Sequence, residues 1–284
     1  MSKGERQSPV DHPALVLLRG GGDLASGVAL RMHRAGIQVV ITELPQPLAV
    51  RRAVSFGEAV YEGVHAVEGV TARRVEPSQI LTSLAGNEIP VLVDPNADIL
   101  LSSFRFSVVI DARLLKTPPA ALARSIPLHI GLGPGFHAGI NCHAVIETRR
   151  SHTLGRVYWD GAPQPDSGQP EGDPRRVLRA PADGVMQAKA KIGDHLEEGQ
   201  VVAVIGDEHI IESPLKGVLR GLIREGVHVS KGLKIGDVDP RDDPNSCYLV
   251  SDKALAIGGA ALEAILTRVD IRSNLWGGNA RKTH

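Results

Sequence analysis

The chain has 284 residues, 42% hydrophobic and 3% aromatic, with 32 Lys and Arg against 32 Asp and Glu. That length is ample for a buried core and suggests two domains. The zero net charge and scarce aromatics exclude a general electrostatic or base-stacking reason to bind nucleic acid or an anionic membrane surface. Two cysteines, Cys142 and Cys247, make no disulfide framework. No run is apolar and long enough to span a bilayer, and no signal peptide opens the chain, so a reducing cytoplasm is the expected compartment.

In chain order, residues 1–13 are polar and expected to be flexible. An apolar run from Ala14 to Leu18 leads into Arg19-Gly20-Gly21-Gly22-Asp23-Leu24-Ala25-Ser26-Gly27. An amphipathic segment ends near Ala35, and a second apolar run, Ile37 to Leu44, carries Glu43. The order is strand, glycine turn, helix, strand, acid. Gly20, Gly22 and Ala25 satisfy G-x-G-x-x-A, and Glu43 stands where a ribose-binding acid is expected. Such glycines allow a tight turn and close backbone approach, and the helix start offers N–H groups to a phosphate. A glycine turn that only packs strand against helix is the alternative. Asp23 is repulsive to a phosphate unless it binds a hydroxyl or a metal.

Further along, the pattern gives a strand around Glu58 to Tyr61 and a helix from Pro77 to Leu84. Strands follow at Ile89–Asp94, Ser107–Arg113, Leu128–Leu132 and Ala144–Thr148. Several are Val/Ile/Leu-rich with little alternation, as in strands covered on both faces. The expected fold class is α/β, with a doubly wound, Rossmann-like domain over residues 14–159. Functional residues then gather at the carboxyl ends of strands, where Gly20, Glu43, Asp94, Asp111 and Gly133 fall.

A second glycine cluster, Gly131, Gly133, Pro134, Gly135 and Gly139, begins at a strand end. It can cradle a phosphate or a planar ring through backbone N–H groups, or serve as a structural crossover. His129, His137, Cys142 and His143 match no structural zinc spacing, so no metal is expected. Cys142 reads as a buried inert thiol ahead of a nucleophile, and Glu147 as a strand-end acid ahead of a base. No Ser-His-Asp order, P-loop lysine or H-E-x-x-H appears. No catalytic residue is assigned, and whether the chain is an enzyme stays open.

Residues 160–175 are turn formers and read as an interdomain linker or a long exposed loop. Within residues 176–240, Ala180-Pro181-Ala182-Asp183-Gly184-Val185 recurs as Ser213-Pro214-Leu215-Lys216-Gly217-Val218, an offset of 33 residues. This half resembles the lipoyl/biotinyl barrel-sandwich family. The hairpin from Val204 to Ser213, where a carrier presents its modified lysine, contains none. The expected role is a structural or docking module. The tail, residues 241–284, holds a helix-like stretch from Ser251 to Leu266, capped by Ser251 or Asp252. Its Gly258-Gly259 pair either admits a close neighbour or breaks the helix.

Gly20 to Gly27, Asp111 with Lys116, Gly131-Leu132-Gly133-Pro134-Gly135-Phe136, Val145 to Thr148, Ser251 to Lys253 and Ile257 to Gly259 together resemble the selenium-dependent molybdenum hydroxylase accessory proteins. Those are distant relatives of the xanthine dehydrogenase accessory factors. The resemblance implies a cytoplasmic maturation factor that binds the molybdenum cofactor as cargo, in a dinucleotide form, and hands it to an apo molybdenum hydroxylase. It implies a cofactor site lined by Gly20, Gly22, Asp23, Ser26 and Gly27, with Glu43, and by Asp111, Lys116, Gly131, Gly133, Pro134, Gly135 and Phe136. The chain departs from that pattern at Arg150-Ser151-His152, at Asp166-Ser167-Gly168 and in Thr117-Pro118-Pro119. The rival expectation is an NAD-dependent oxidoreductase binding a nicotinamide or other nucleotide at Gly20 and Glu43. A homo-oligomer is left open.

Overall fold

The computed structural model describes residues 10–11, 15–168 and 172–275. Most of the expected flexible start, Ala14, residues 169–171 of the expected linker and the end of the tail lie outside the described residues.

After β1 (Val10–Asp11), β2 (Leu15–Arg19) is buried along its whole length. Its continuous apolar run suits a strand covered on both faces. The glycine turn leads into α1 (Asp23–Arg34), and β3 (Gln38–Glu43) returns parallel beside β2. Then come α2 (Ala59–Glu62), β4 (Val64–Val67), β5 (Val70–Arg74), α3 (Ile80–Ala85) and β6 (Ile89–Val93). α4 (Asp98–Ser103) precedes β7 (Phe104–Arg105), which pairs in parallel with β1. β8 (Val108–Asp111), β9 (Leu128–Leu132), β10 (Ala144–Ile146) and β11 (Val157–Tyr158) complete a nine-stranded sheet of order β11-β10-β9-β8-β2-β3-β6-β5-β4. The strands from β10 across to β5 run parallel, and β11 and β4 are antiparallel edges.

Successive residues of β2 serve opposite cores, as strand geometry requires. Val16 and Leu18 face α1, while Leu15 and Leu17 join Ile80 and Leu84 of α3 and Leu100 and Leu101 of α4.

The second set of strands is β12 (Val177–Arg179), β13 (Gly184–Ala188), β14 (His195–Leu196), β15 (Val201–Ile205), β16 (His209–Glu212), β17 (Gly217–Leu222), β18 (His228–Val229) and β19 (Lys234–Asp239). They form two four-stranded antiparallel sheets, β12-β19-β17-β14 and β16-β15-β13-β18, around a core that includes Met186, Leu219 and Ile235. The repeat at offset 33 is reciprocal in space. Gly184 of one copy pairs with Val229 of the other, and Leu196 pairs with Gly217.

These strands are docked on the large sheet. Arg52 Nε donates to the Leu222 carbonyl at 3.1 Å, Arg51 donates to the Ser246 and Leu249 carbonyls at 3.0 Å each, and Arg224 pairs with Glu58. A Cβ on Gly221 would stand 2.8 Å from the Val50 carbonyl oxygen, so the backbones touch. The chain then returns in α5 (Asp252–Thr267) and α6 (Val269–Arg272), with Ser251 Oγ capping α5 by accepting from Ala254 N–H at 3.1 Å. α5 lies on α1, β9, β10 and β11.

The expected fold class is therefore corrected. In place of a doubly wound Rossmann-like domain joined to a lipoyl/biotinyl-like barrel, the protein has a large mixed sheet with two antiparallel sheets packed against it. The connections β8–β9 and β9–β10 contain no helix, and the face they leave bare is covered by α5, from beyond the antiparallel sheets. The stretch Glu58 to Tyr61, expected as a strand, enters α2, and a hairpin follows it. The Gly258-Gly259 pair does not break α5. A Cβ on Gly258 would meet the Gly27 carbonyl oxygen at 2.6 Å, and one on Gly27 would meet that of Ala254 at 2.6 Å.

Candidate functional site

The first glycine turn sits at the carboxyl end of β2 and is occupied by the chain itself. Gly20 takes φ +94° with its α-carbon against the Ala112 carbonyl. Gly21 N–H donates to Glu43 Oε2 at 2.6 Å, and Leu44 N–H donates to Glu43 Oε1 at 2.7 Å. Burial pushes the Glu43 carboxyl up, and the two backbone N–H groups pull it back in part. Ser26 is buried, with its Oγ donating to the Gly21 carbonyl and accepting from Phe56 N–H. Gly27 faces α5, not the turn's mouth. Gly22 alone of the expected glycines here has open space over its α-carbon. Asp23 accepts from Leu24 N–H at 2.9 Å and lies 3.8 Å from Arg51.

The second set of expected residues is also internally engaged. Asp111 is fully buried between Arg19 at 3.1 Å and Arg113 at 2.6 Å. Lys116 pairs with Asp166 at 2.6 Å. Gly131 lies under the Phe136 ring, where a Cβ would come within 2.1 Å of Cγ, and Phe136 is 1% exposed. Gly133 takes φ +94°. Gly135 N–H donates to the Leu115 carbonyl at 2.7 Å. Pro134 and Lys116 do reach a cavity, described next. Asp94 caps the start of α4 by accepting from Leu100 N–H at 3.0 Å.

Beyond the carboxyl ends of β9 and β10 opens a cavity of about 340 Å³. Lys116, Arg149, Arg176, Arg179, Lys234 and Lys253 line it, with Glu147 and Asp166 as its acids. Glu147 is fixed by Arg149 N–H and Gln164 N–H, each at 2.7 Å. A neighbouring cavity of about 560 Å³ shares Arg176 and adds Arg51, Arg150, Arg220 and Arg241. At their junction Arg176, Arg220 and Lys234 converge on the fully buried carboxylate of Asp237. Arg220 and Arg241 also reach Asp239, whose carboxyl is held down at about 2, chiefly by its bond to Arg241. Burial pushes the Lys234 ammonium down, and Asp237 opposes that shift. Sequence reasoning missed this cluster. Its signal was the acid alternation Asp237-Val238-Asp239 beside Lys234, which puts both carboxylates on one strand face.

A third cavity, about 560 Å³, opens at the amino ends of β9 and β10 and is lined by His129, Cys142 and His143, among others. Among the described residues no group of three or more His, Cys, Asp or Glu is placed to hold a metal ion. No helix among them is long and apolar enough to cross a membrane.

No protein-family model matches the chain. It is 47% identical over 263 residues to the uncharacterized protein YqeB of Escherichia coli (strain K12), covering 90% of this chain and 48% of that one. The chain thus spans about half the length of the curated relative it matches. Among solved structures it is similar to an aspartoacylase family protein of Mesorhizobium loti, at 13% identity and TM-score 0.27, with 81% of this chain and 86% of that chain covered. It is similar also to a succinylglutamate desuccinylase/aspartoacylase of Rhodobacter sphaeroides, at 13% identity and TM-score 0.28, covering 79% and 85%. A third is the ectoine utilization protein EutE (DoeB) of Ruegeria pomeroyi, at 9% identity and TM-score 0.24, covering 80% and 86%.

None of these neighbours is named as a molybdenum hydroxylase accessory factor. With no comparison in its support, the expected family, with its selenium dependence, its maturation role and its apo-hydroxylase partner, is corrected. The nicotinamide oxidoreductase reading goes with it, since the Glu43 carboxylate it needs is engaged by Gly21 and Leu44. At TM-scores of 0.24 to 0.28, no residue role or activity passes from these structures to this chain.

Proposed function

We propose that this chain binds a small molecule bearing a multiply charged phosphate group in the cleft between the carboxyl edge of the large sheet and the antiparallel sheets. The observation that supports this reading is the convergence of Arg176, Arg220 and Lys234 on the single carboxylate of Asp237. Arg220 bonds Asp239 as well, and with Lys116, Arg149, Arg179 and Lys253 on the same wall the first cavity sets six cations, Arg176 and Lys234 included, against the two carboxylates of Glu147 and Asp166. Such a surplus of positive charge in a partly desolvated cleft attracts an anion. Guanidinium groups suit a phosphate because they donate in pairs. The cavity is of ordinary small-ligand size, about 300 to 1,000 Å³. The glycine turn is not the anion seat, because Glu43 already takes its N–H and Asp23 stands at its mouth.

Calorimetric titration of the full chain with inorganic pyrophosphate and with ADP tests the proposal. Both bind, the affinity falls with added salt, and Arg149→Ala and Arg179→Ala each weaken it about tenfold or more, the worth of one charge-assisted bond. Absence of heat with both ligands, or unchanged affinity in both variants, overturns it.

A further inference from the structure

The hairpin that carries no lysine ends in a strand with one side unpaired. β16 is an outer strand of the sheet β16-β15-β13-β18, and no described strand lies beyond it. Ser213 N–H donates to the Gln200 carbonyl at 2.8 Å, and the Ser213 carbonyl accepts from Gly199 N–H at 2.8 Å, so Ser213 turns its backbone groups toward the β15 side. Such groups alternate in direction along a strand of an antiparallel pair, which turns the N–H and C=O of Glu212 and Ile210 to the open side. Side chains alternate between the two faces as well. Ile211 enters the core between the sheets, and Ile210 stands on the outer face, 60% exposed.

Two further features give this edge a preference. The outer face beside it is apolar. Ile210 pairs with Val204, Val204 pairs with Gln187, and Val185, two residues before Gln187, is 45% exposed. The edge is also acidic. Between Lys191 and Lys216 the chain has six carboxylates and no lysine or arginine. Lys216 is held by Glu197 at 2.7 Å. Among the described residues no cation pairs with Asp207, Glu208 or Glu212, which flank Ile210 on both sides. An open edge accepts an extended segment as one more strand, through main-chain hydrogen bonds. Carboxylates along it favour lysine or arginine on the incoming strand. They oppose a second copy of this chain, whose β16 brings the same acids against them.

We infer that β16 is a docking edge for an extended segment of a partner protein, in which a branched apolar residue opposite Ile210 is flanked, two positions to either side, by lysine or arginine. Ile210 and Glu212 supply the main-chain bonds, and the acids and the apolar face select the side chains. No residue of β15 or β16 lines the cationic cleft, so the inference stands whether or not that cleft binds phosphate.

Amide NMR on the nitrogen-labelled full chain tests it, with a millimolar capped peptide of sequence Lys-Thr-Val-Thr-Lys-Thr-Val-Thr-Lys as the probe. The Ile210 and Glu212 amide signals shift on its addition, and added salt weakens the effect. The same peptide with glutamate for lysine does not bind, and neither does one with both valines N-methylated, which cannot donate to the edge. Ile210→Lys, at an exposed position, weakens binding about tenfold through lost apolar contact, and Glu212→Lys weakens it about fivefold through a reversed cross-strand pair. Val269→Asp, an exposed apolar position elsewhere, leaves it unchanged. Unmoved Ile210 and Glu212 signals, equal binding of either control peptide, or unchanged affinity in both β16 variants overturns the inference. So does a wild-type dimer in sedimentation that Ile210→Lys dissociates, because a second copy then takes the edge.

Discussion

The two glycine clusters look alike in sequence and are filled differently in space. The Gly20–Gly22 turn holds a carboxylate of the chain, Glu43, on the N–H of Gly21. The Gly131–Gly135 loop holds a ring of the chain, Phe136, over the bare α-carbon of Gly131. One serves hydrogen bonding and the other packing. The comparison teaches that glycine in a strand-end turn reports a close approach without saying what approaches. In both cases here it is the protein's own side chain, and the proposed ligand cleft lies farther out, lined by arginines and lysines.

The most disruptive test of this comparison is Gly131→Ala. Its methyl group has no room beside Phe136, and overpacking of this kind costs about 3 kcal/mol. Thermal denaturation should show a large fall, and a melting temperature like wild type's would mean that Phe136 does not fill the loop. Gly27→Ala is milder. Its methyl group meets the Ala254 carbonyl, but alanine's better helix propensity offsets about 1 kcal/mol, leaving a net loss of about 1–2 kcal/mol. Urea unfolding measures it, and a stabilised variant would show that α1 and α5 are not in backbone contact.

The smallest effect belongs to Glu43→Gln, about 1 kcal/mol from one mismatched N–H. It has a sign that only the first cluster predicts. Burial raises the Glu43 pKa above its usual 4.5, so its contribution to stability is full below that value and is lost as pH rises through the raised one. The gap between wild type and Glu43→Gln therefore narrows from acid to neutral pH. A gap that widens over that range, in urea unfolding at each pH, contradicts a carboxyl buried on the glycine turn.

Local elements were legible where the signal was local. The apolar runs gave β6, β8, β9 and β10 close to their bounds, and the glycine turn correctly separated β2 from α1. The segment from Glu58 to Tyr61 misled because four residues of mixed character carry no period that separates a short helix from a strand. The fold class failed for a non-local reason. Nothing in residues 112–143 announces that helices are missing there, and nothing in α5 announces which sheet it covers. The cationic cleft was invisible for the same cause, since Arg176, Arg220, Lys234 and Asp237 meet only after β12, β17 and β19 pair. Of the expected site residues, Lys116 and Pro134 line that cleft.

The path of α5 sets an order for folding. The helix that closes one face of the large sheet is placed after both antiparallel sheets in the chain, while its partner α1 lies near the beginning. During synthesis, Val28, Ala29 and the inner faces of β9 and β10 must wait, uncovered, until residues 252–267 leave the ribosome. Contacts of such separation slow folding, because the intervening loop must close before they form. The exposed apolar surface during that interval is where this chain is most open to aggregation or to a chaperone.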